Sequence, residues 1–315
     1  MTVSTQKARL PQLDGGLFLT DGGIETDLIF NDGFELPYFA AFHLLQTEKG
    51  MAALRAYFAR YAAIARKAGI GFILESPTWR ASADWGDKLG YSKQALAEAN
   101  AKSIALIEEL RTELGSVRMP LVVSGCVGPR GDGYDPGTVM SAEEAQGYHA
   151  EQIGVFARSG ADMVTAITMT NANEPVGLTR AAQAAAMPVA VAFTVETDGR
   201  LPTGQSLREA IMEVDGATKD GPAYYMINCA HPTHFDTTLA NDEAWVKRIR
   251  GIRANASRRS HAELNEAPDL DAGDPVELGG QYRALRLRHP QINVLGGCCG
   301  TDQRHISAIC GACVA

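Results

Sequence analysis

Several features are scarce in this chain of 315 residues. No apolar run approaches the roughly 18 residues of a membrane span, so no transmembrane segment is expected. Positive charge is not gathered into a stripe. The net charge is −8 and the charges are scattered, which argues against a nucleic-acid partner. The segment Met1–Gln12 is polar and lacks a hydrophobic core, so no signal peptide is expected and a cytoplasmic location follows. Cysteine is used at an ordinary level, with six in the chain. Without an export signal these thiols are expected to be reduced, and a cluster of them then reads as a metal or catalytic site. There is also no Pro/Ser-rich linker, low-complexity tract or short repeat to divide the chain.

What is present alternates. Apolar, β-branched runs near Leu17–Thr20, Gly71–Glu75, Leu121–Ser124, Met163–Thr168, Val189–Thr194, Tyr224–Asn228, Ile249–Ala254 and Ile292–Leu295 read as strands. Helical patterns lie between them. Leu54, Tyr57, Phe58, Tyr61, Ile64, Ala65 and Ala68 recur at helical spacing, and Gly69 stops that helix. Ala95–Leu114 and Ser141–Ser159 behave similarly, and Ser141 with Glu144 is a capping-box signature. Eight strands alternating with helices predict an α/β fold, a (β/α)8 TIM barrel, as a single domain over 1–315. A doubly wound open sheet is the alternative. Residues 1–12 are expected to be a flexible tail, and the polar stretch 256–275 a loop.

The chemistry gathers at strand ends. Gly296-Gly297-Cys298-Cys299-Gly300 follows the eighth candidate strand, and Cys229 follows the sixth. Adjacent cysteines suit each other poorly as a disulfide but can face one soft metal ion across a sharp turn. In a barrel, both strand ends open on the same face, where active sites lie. Cys229, Cys298 and Cys299 are therefore read as a tri-thiolate zinc site with one open position, the pattern of a catalytic rather than a structural site. Zinc lowers the pKa of a bound thiol, so a substrate thiol there becomes a nucleophile without a separate general base. Asp21-Gly22-Gly23 with Glu25 ends the first strand and Glu75 the second, which adds carboxylates and free amides to that rim. His231 and His234 could instead complete a mixed Cys/His site or merely line a loop. Cys310 and Cys313 have CxxC spacing, but without a paired second motif they read as incidental cysteines of a terminal helix.

These residues resemble the homocysteine S-methyltransferase family through most of the chain. Asp21-Gly-Gly23 with Glu25-Thr26 resembles its first-strand motif. Glu75-Ser-Pro-Thr78-Trp-Arg-Ala-Ser82 resembles its second-strand segment, and Gly125 to Pro129 its S-x-G-P loop. Asn228-Cys229-x-x-Pro232 and Gly296-Gly-Cys-Cys-Gly300-Thr301 resemble the two zinc motifs. The resemblance implies the barrel, a catalytic zinc on the three cysteines, homocysteine as methyl acceptor and methionine as product. It implies substrate contacts from Asp21, Gly22, Gly23, Glu25, Glu75 and Asn228. A stand-alone barrel most resembles members with a small sulfonium donor, S-methylmethionine or S-adenosylmethionine.

There is one departure inside the site. The family's fourth-strand glutamate, which helps hold the homocysteine amino group, falls on Ile167 when aligned through Glu174. An isoleucine cannot pair with an ammonium, so Asp21, Glu25 and Glu75 become the candidates for that task. The departure also motivates other readings: an acceptor that is another small thiol or selenol, or a non-catalytic thiol-binding subunit of a larger methyl-transfer system. Homo-oligomerisation is left open by the patterning.

Overall fold

A computed structural model of the chain describes residues 10–116, 119–240, 243–267 and 269–314. Eight strands occur in chain order: β1 (Phe18–Leu19), β2 (Gly71–Glu75), β3 (Leu121–Val127), β4 (Met163–Met169), β5 (Val189–Phe193), β6 (Tyr224–Asn228), β7 (Ile249–Ala254) and β8 (Val294–Gly297). Each pairs in parallel with its sequence neighbours, and β1 also pairs with β8, so the sheet closes into a barrel. Helices fill the crossovers. The architecture is the expected (β/α)8 barrel.

Local sequence explains the elements. The helix Glu48–Ala68 begins where the Thr47 side chain accepts the Gly50 N–H and ends at Gly69 in the left-handed region. Leu54, Tyr57, Phe58, Tyr61 and Ala65 form its buried face, as their spacing dictates. Ser141 and Glu144 close a reciprocal capping box on the helix Ala142–Arg158.

Strand alternation sorts the core into two layers. Ile73, Val122, Met163, Ala190, Ala192, Tyr224 and Met226 pack together inside the barrel. Phe72, Leu74, Val123, Val164, Val191 and Ile227 face the helices instead.

Two expectations need correction. Residues 1–9 of the expected tail lie outside the described residues, but 10–12 are not a tail. Leu10 is buried with the inner layer, and Gln12 reaches the Tyr224 hydroxyl at 3.5 Å. The Gln12 carbonyl accepts from Asn293 at 2.7 Å, so this segment plugs the N-terminal mouth of the barrel. An apolar leucine next to a proline turn was signal enough. The expected loop over 256–275 contains a short helix, His261–Glu266, started by a capping box between Ser260 and Glu263.

The C-terminal rim is braced from outside by Tyr282, on the helix Pro275–Arg288. Its hydroxyl accepts the Ala254 N–H at 2.8 Å and donates to the Gly296 carbonyl at 2.6 Å, joining the ends of β7 and β8. Tyr282→Phe removes the hydroxyl and leaves the buried Ala254 N–H and Gly296 carbonyl without it. It is expected to lower the unfolding free energy by about 1–3 kcal/mol, read from urea denaturation.

Candidate metal and substrate site

Cys229 follows β6 with φ of 52°, a left-handed conformation that costs a non-glycine residue free energy unless its surroundings hold it. They do. The Cys229 N–H donates to the Arg253 carbonyl at 3.1 Å, and its own carbonyl accepts from His261 Nε2 at 2.6 Å. Cys298 and Cys299 follow β8. The Cys298 N–H donates to the Ala254 carbonyl at 2.8 Å, and the Cys299 carbonyl accepts from Ala256 N–H at 3.0 Å. Gly300, at φ 79°, then turns the chain, and its N–H donates to Thr26 Oγ1 at 3.1 Å. Gly23 lies so close to the Cys298 carbonyl that a Cβ there would overlap it. The β1 and β8 loops are thus stitched together around the cysteine pair.

The three sulfurs converge: all lie within 4.8 Å of one another. Cys229 and Cys299 are 4.0 Å apart at Sγ. Thiolates on a tetrahedral zinc, at roughly 2.3 Å each, sit about 3.8 Å apart. The donor set therefore fits such an ion. Cys229 Sγ and Cys298 Sγ are in direct contact. Sulfurs brought together to share one ion are also within reach of each other, so the metal-holding state is the reduced one. The Tyr134 hydroxyl is 3.2 Å from Cys299 Sγ, and its ring stacks on His261 at 3.9 Å. Burial pushes the Cys299 thiol up, while the Tyr134 hydrogen bond opposes it.

These sulfurs open on a cavity of roughly 180 Å³ at the C-terminal rim. Its walls include Asp21, Glu25 and Glu75, the aromatic rings of Phe39, Trp79 and Tyr134, and Ile167 and Arg80. Gly22 and Gly23 line it as well.

Arg253, near the end of β7, is the principal residue that sequence reasoning missed. It is buried and bridges two carboxylates, donating to Asp21 Oδ1 at 2.6 Å and to Glu75 Oε2. A third donation, from Nε to the Gly297 carbonyl at 3.1 Å, ties it to β8. Burial alone would lower the Arg253 pKa; Asp21 and Glu75 override it and hold the guanidinium charged. Burial raises both carboxyls, against the pull of Arg253. The signal was an arginine inside the apolar run Ile249–Ala254, where a long cation is rare unless paired.

The other expected residues divide. The Asn228 amide accepts the Thr168 N–H at 2.9 Å and donates to Thr168 Oγ1 at 2.8 Å, bracing β4 against β6, and its Nδ2 lies 3.9 Å from Cys298 Sγ. His231 caps the short helix Pro232–Phe235, and His234 contacts the Arg258 carbonyl at 2.9 Å. Among the described residues neither joins the three cysteines. Cys310 and Cys313 sit on the terminal helix Gln303–Val314, away from the site.

The model of the family "Homocysteine S-methyltransferase" matches residues 18–313. The chain therefore belongs to the homocysteine S-methyltransferase family. It is 25% identical over 186 residues to betaine–homocysteine S-methyltransferase 1 of Rattus norvegicus, covering 54% of this chain and 44% of that protein. The match thus spans less than half the length of that curated relative. Among solved structures, the fold is similar to the homocysteine methyltransferase MmuM of Escherichia coli. Its oxidized form gives a TM-score of 0.72 at 20% identity, over 93% of this chain and 94% of that one. The metallated form gives 0.68 at 19% identity, over 94% and 96%.

Arg253→Met would leave two buried carboxylates without their cation. A loss of about 3–5 kcal/mol is expected, measured by chemical denaturation against the wild type. A loss below about 1 kcal/mol, the range of an exposed ion pair, would refute the bridging role.

Proposed function

We propose that this chain is a zinc-dependent methyltransferase that moves a methyl group from a small donor to the thiolate of homocysteine, giving methionine. The reading takes 1–315 as one barrel domain working in the cytoplasm, with Cys229, Cys298 and Cys299 as the metal ligands. The convergence of these three thiols at the rim of a family barrel carries it. A bound zinc supplies a Lewis acid that keeps a fourth, substrate sulfur as thiolate near neutral pH.

The chain's own residues do the rest. The Tyr134 hydroxyl beside Cys299 Sγ stabilises negative charge on that sulfur. The acceptor's thiolate attacks the methyl carbon; the new S–C bond forms as the donor's S–C bond breaks, and the leaving thioether keeps the electron pair. No proton has to move in that step. Phe39, Trp79 and Tyr134 supply aromatic surface suited to an onium cation, which favours S-methylmethionine or S-adenosylmethionine as donor.

Ile167 in the cavity wall supports a second reading, in which the acceptor is another small thiol or selenol.

The reduced protein is expected to bind zinc stoichiometrically, and Cys298→Ser to lose both the metal and methyl transfer. Metal analysis with a donor-by-acceptor activity screen checks this. Stoichiometric zinc and full activity in the variant would sink the assignment. Wild-type protein that binds zinc but turns over no donor would favour a thiol-binding subunit instead.

A further inference from the structure

The carboxylates of the cavity are not equivalent. Asp21 has both oxygens engaged, Oδ1 by Arg253 at 2.6 Å and Oδ2 by the Tyr57 hydroxyl at 3.0 Å. Glu75 is held by Arg253 and by a hydrogen bond from the Thr165 side chain. Asp132 pairs with Arg80 at 3.2 Å and accepts the Tyr134 N–H at 2.9 Å. Glu25 differs from all of them. Among the described residues it has no ion-pair partner, and the one hydrogen bond to its carboxylate comes from its own amide.

Its position is nevertheless fixed. Glu25 lies between Gly23, whose N–H donates to the Thr301 carbonyl at 3.1 Å, and Thr26, whose hydroxyl accepts the Gly300 N–H at 3.1 Å. Both contacts are to the loop that carries Cys298 and Cys299. Its charge is also felt at the Cys299 thiol, which it raises. Burial pushes the Glu25 carboxyl up to about 7 and the Asp21 charge adds to this, while its own amide and the more distant Arg253 and Arg80 only partly offset it. A carboxylate so placed gains most from a cation that arrives with the ligand.

An α-amino thiol brings that cation; a thiol of the same length without the amino group does not. We infer that Glu25 is the specificity-determining residue that pairs with the ammonium group of the acceptor and selects amino-acid thiols over their des-amino counterparts. The inference rests on the thiol-methyltransferase reading. Asp21 and Glu75 are already ion-paired with the guanidinium between them, so an arriving ammonium gains less there, and Ile167 offers no polar side-chain atom.

The test compares homocysteine with 4-mercaptobutanoate, which keeps the thiol and carboxylate and lacks only the amino group. S-methylmethionine, or whichever donor the screen identifies, is held constant with zinc-loaded protein. Wild type is expected to prefer homocysteine in kcat/KM. Glu25→Gln should shrink that preference roughly 10- to 100-fold, the value of a hydrogen bond to a charged partner, with the loss falling on the acceptor KM more than on kcat. Unchanged metal content and Tm guard against misfolding, and Glu25→Asp, which keeps the charge, should retain part of the preference.

A wild-type preference that survives Glu25→Gln, or a loss confined to the donor KM, overturns the inference. Equal use of both thiols by wild type overturns it too, while leaving the methyltransferase reading intact. Zinc-loaded wild type that methylates neither thiol removes that reading and the inference together.

Discussion

Arg253 puts a full positive charge among strand ends where little water reaches, and only its two carboxylate partners make that tolerable. The partners come from β1 and β2, and a further donation reaches β8. One side chain thus ties together four neighbouring strands of the rim, including the two whose loops carry Asp21, Cys298 and Cys299. The same backbone supports the third cysteine, since the Arg253 carbonyl receives the Cys229 N–H. The electrostatics of the cavity floor and the placement of the sulfurs therefore depend on the same residue.

The sulfur site also depends on backbone that would not hold itself. Cys229 and Thr168 both adopt left-handed conformations without being glycine. Asn228, the last residue of β6, both accepts from and donates to Thr168, so the two strained positions brace each other. His261, itself held by Glu196 at 2.9 Å, donates from Nε2 to the Cys229 carbonyl. Strain supported from several directions is a way to hold ligands in a fixed arrangement before any ion or substrate arrives.

Much of this was legible from residue order. The strands followed from apolar runs, because parallel barrel strands are covered on both sides and read as continuous hydrophobic segments. β2, β6 and β7 fall where those runs do, whereas β3 runs on to Val127 and β8 shifts toward Gly297. Those limits are set by pairing with neighbours, which a single segment does not encode. The convergence of Cys229 with Cys298 and Cys299 was also readable, because barrel topology sends every strand end to one face. Arg253 was not singled out, since its meaning lies in two carboxylates more than 170 positions away. The helix within 256–275 was overlooked although Ser260 and Glu263 carry a capping-box spacing, because the surrounding composition is polar and irregular.

The division has a physical basis. By itself the sequence determined the alternation of strand and helix, the barrel it implies and the identity of the three sulfurs, because periodicity and strand-end position are local properties that closure merely assembles. Only the tertiary structure decided which carboxylates are engaged and which is left for a ligand. Asp21, Glu25 and Glu75 are equal as acidic residues in a row of letters. They become different when folding places one guanidinium in ion pairs with Asp21 and Glu75 and leaves Glu25 without an ion pair among the described residues, since charge pairing is set by distance in space rather than along the chain.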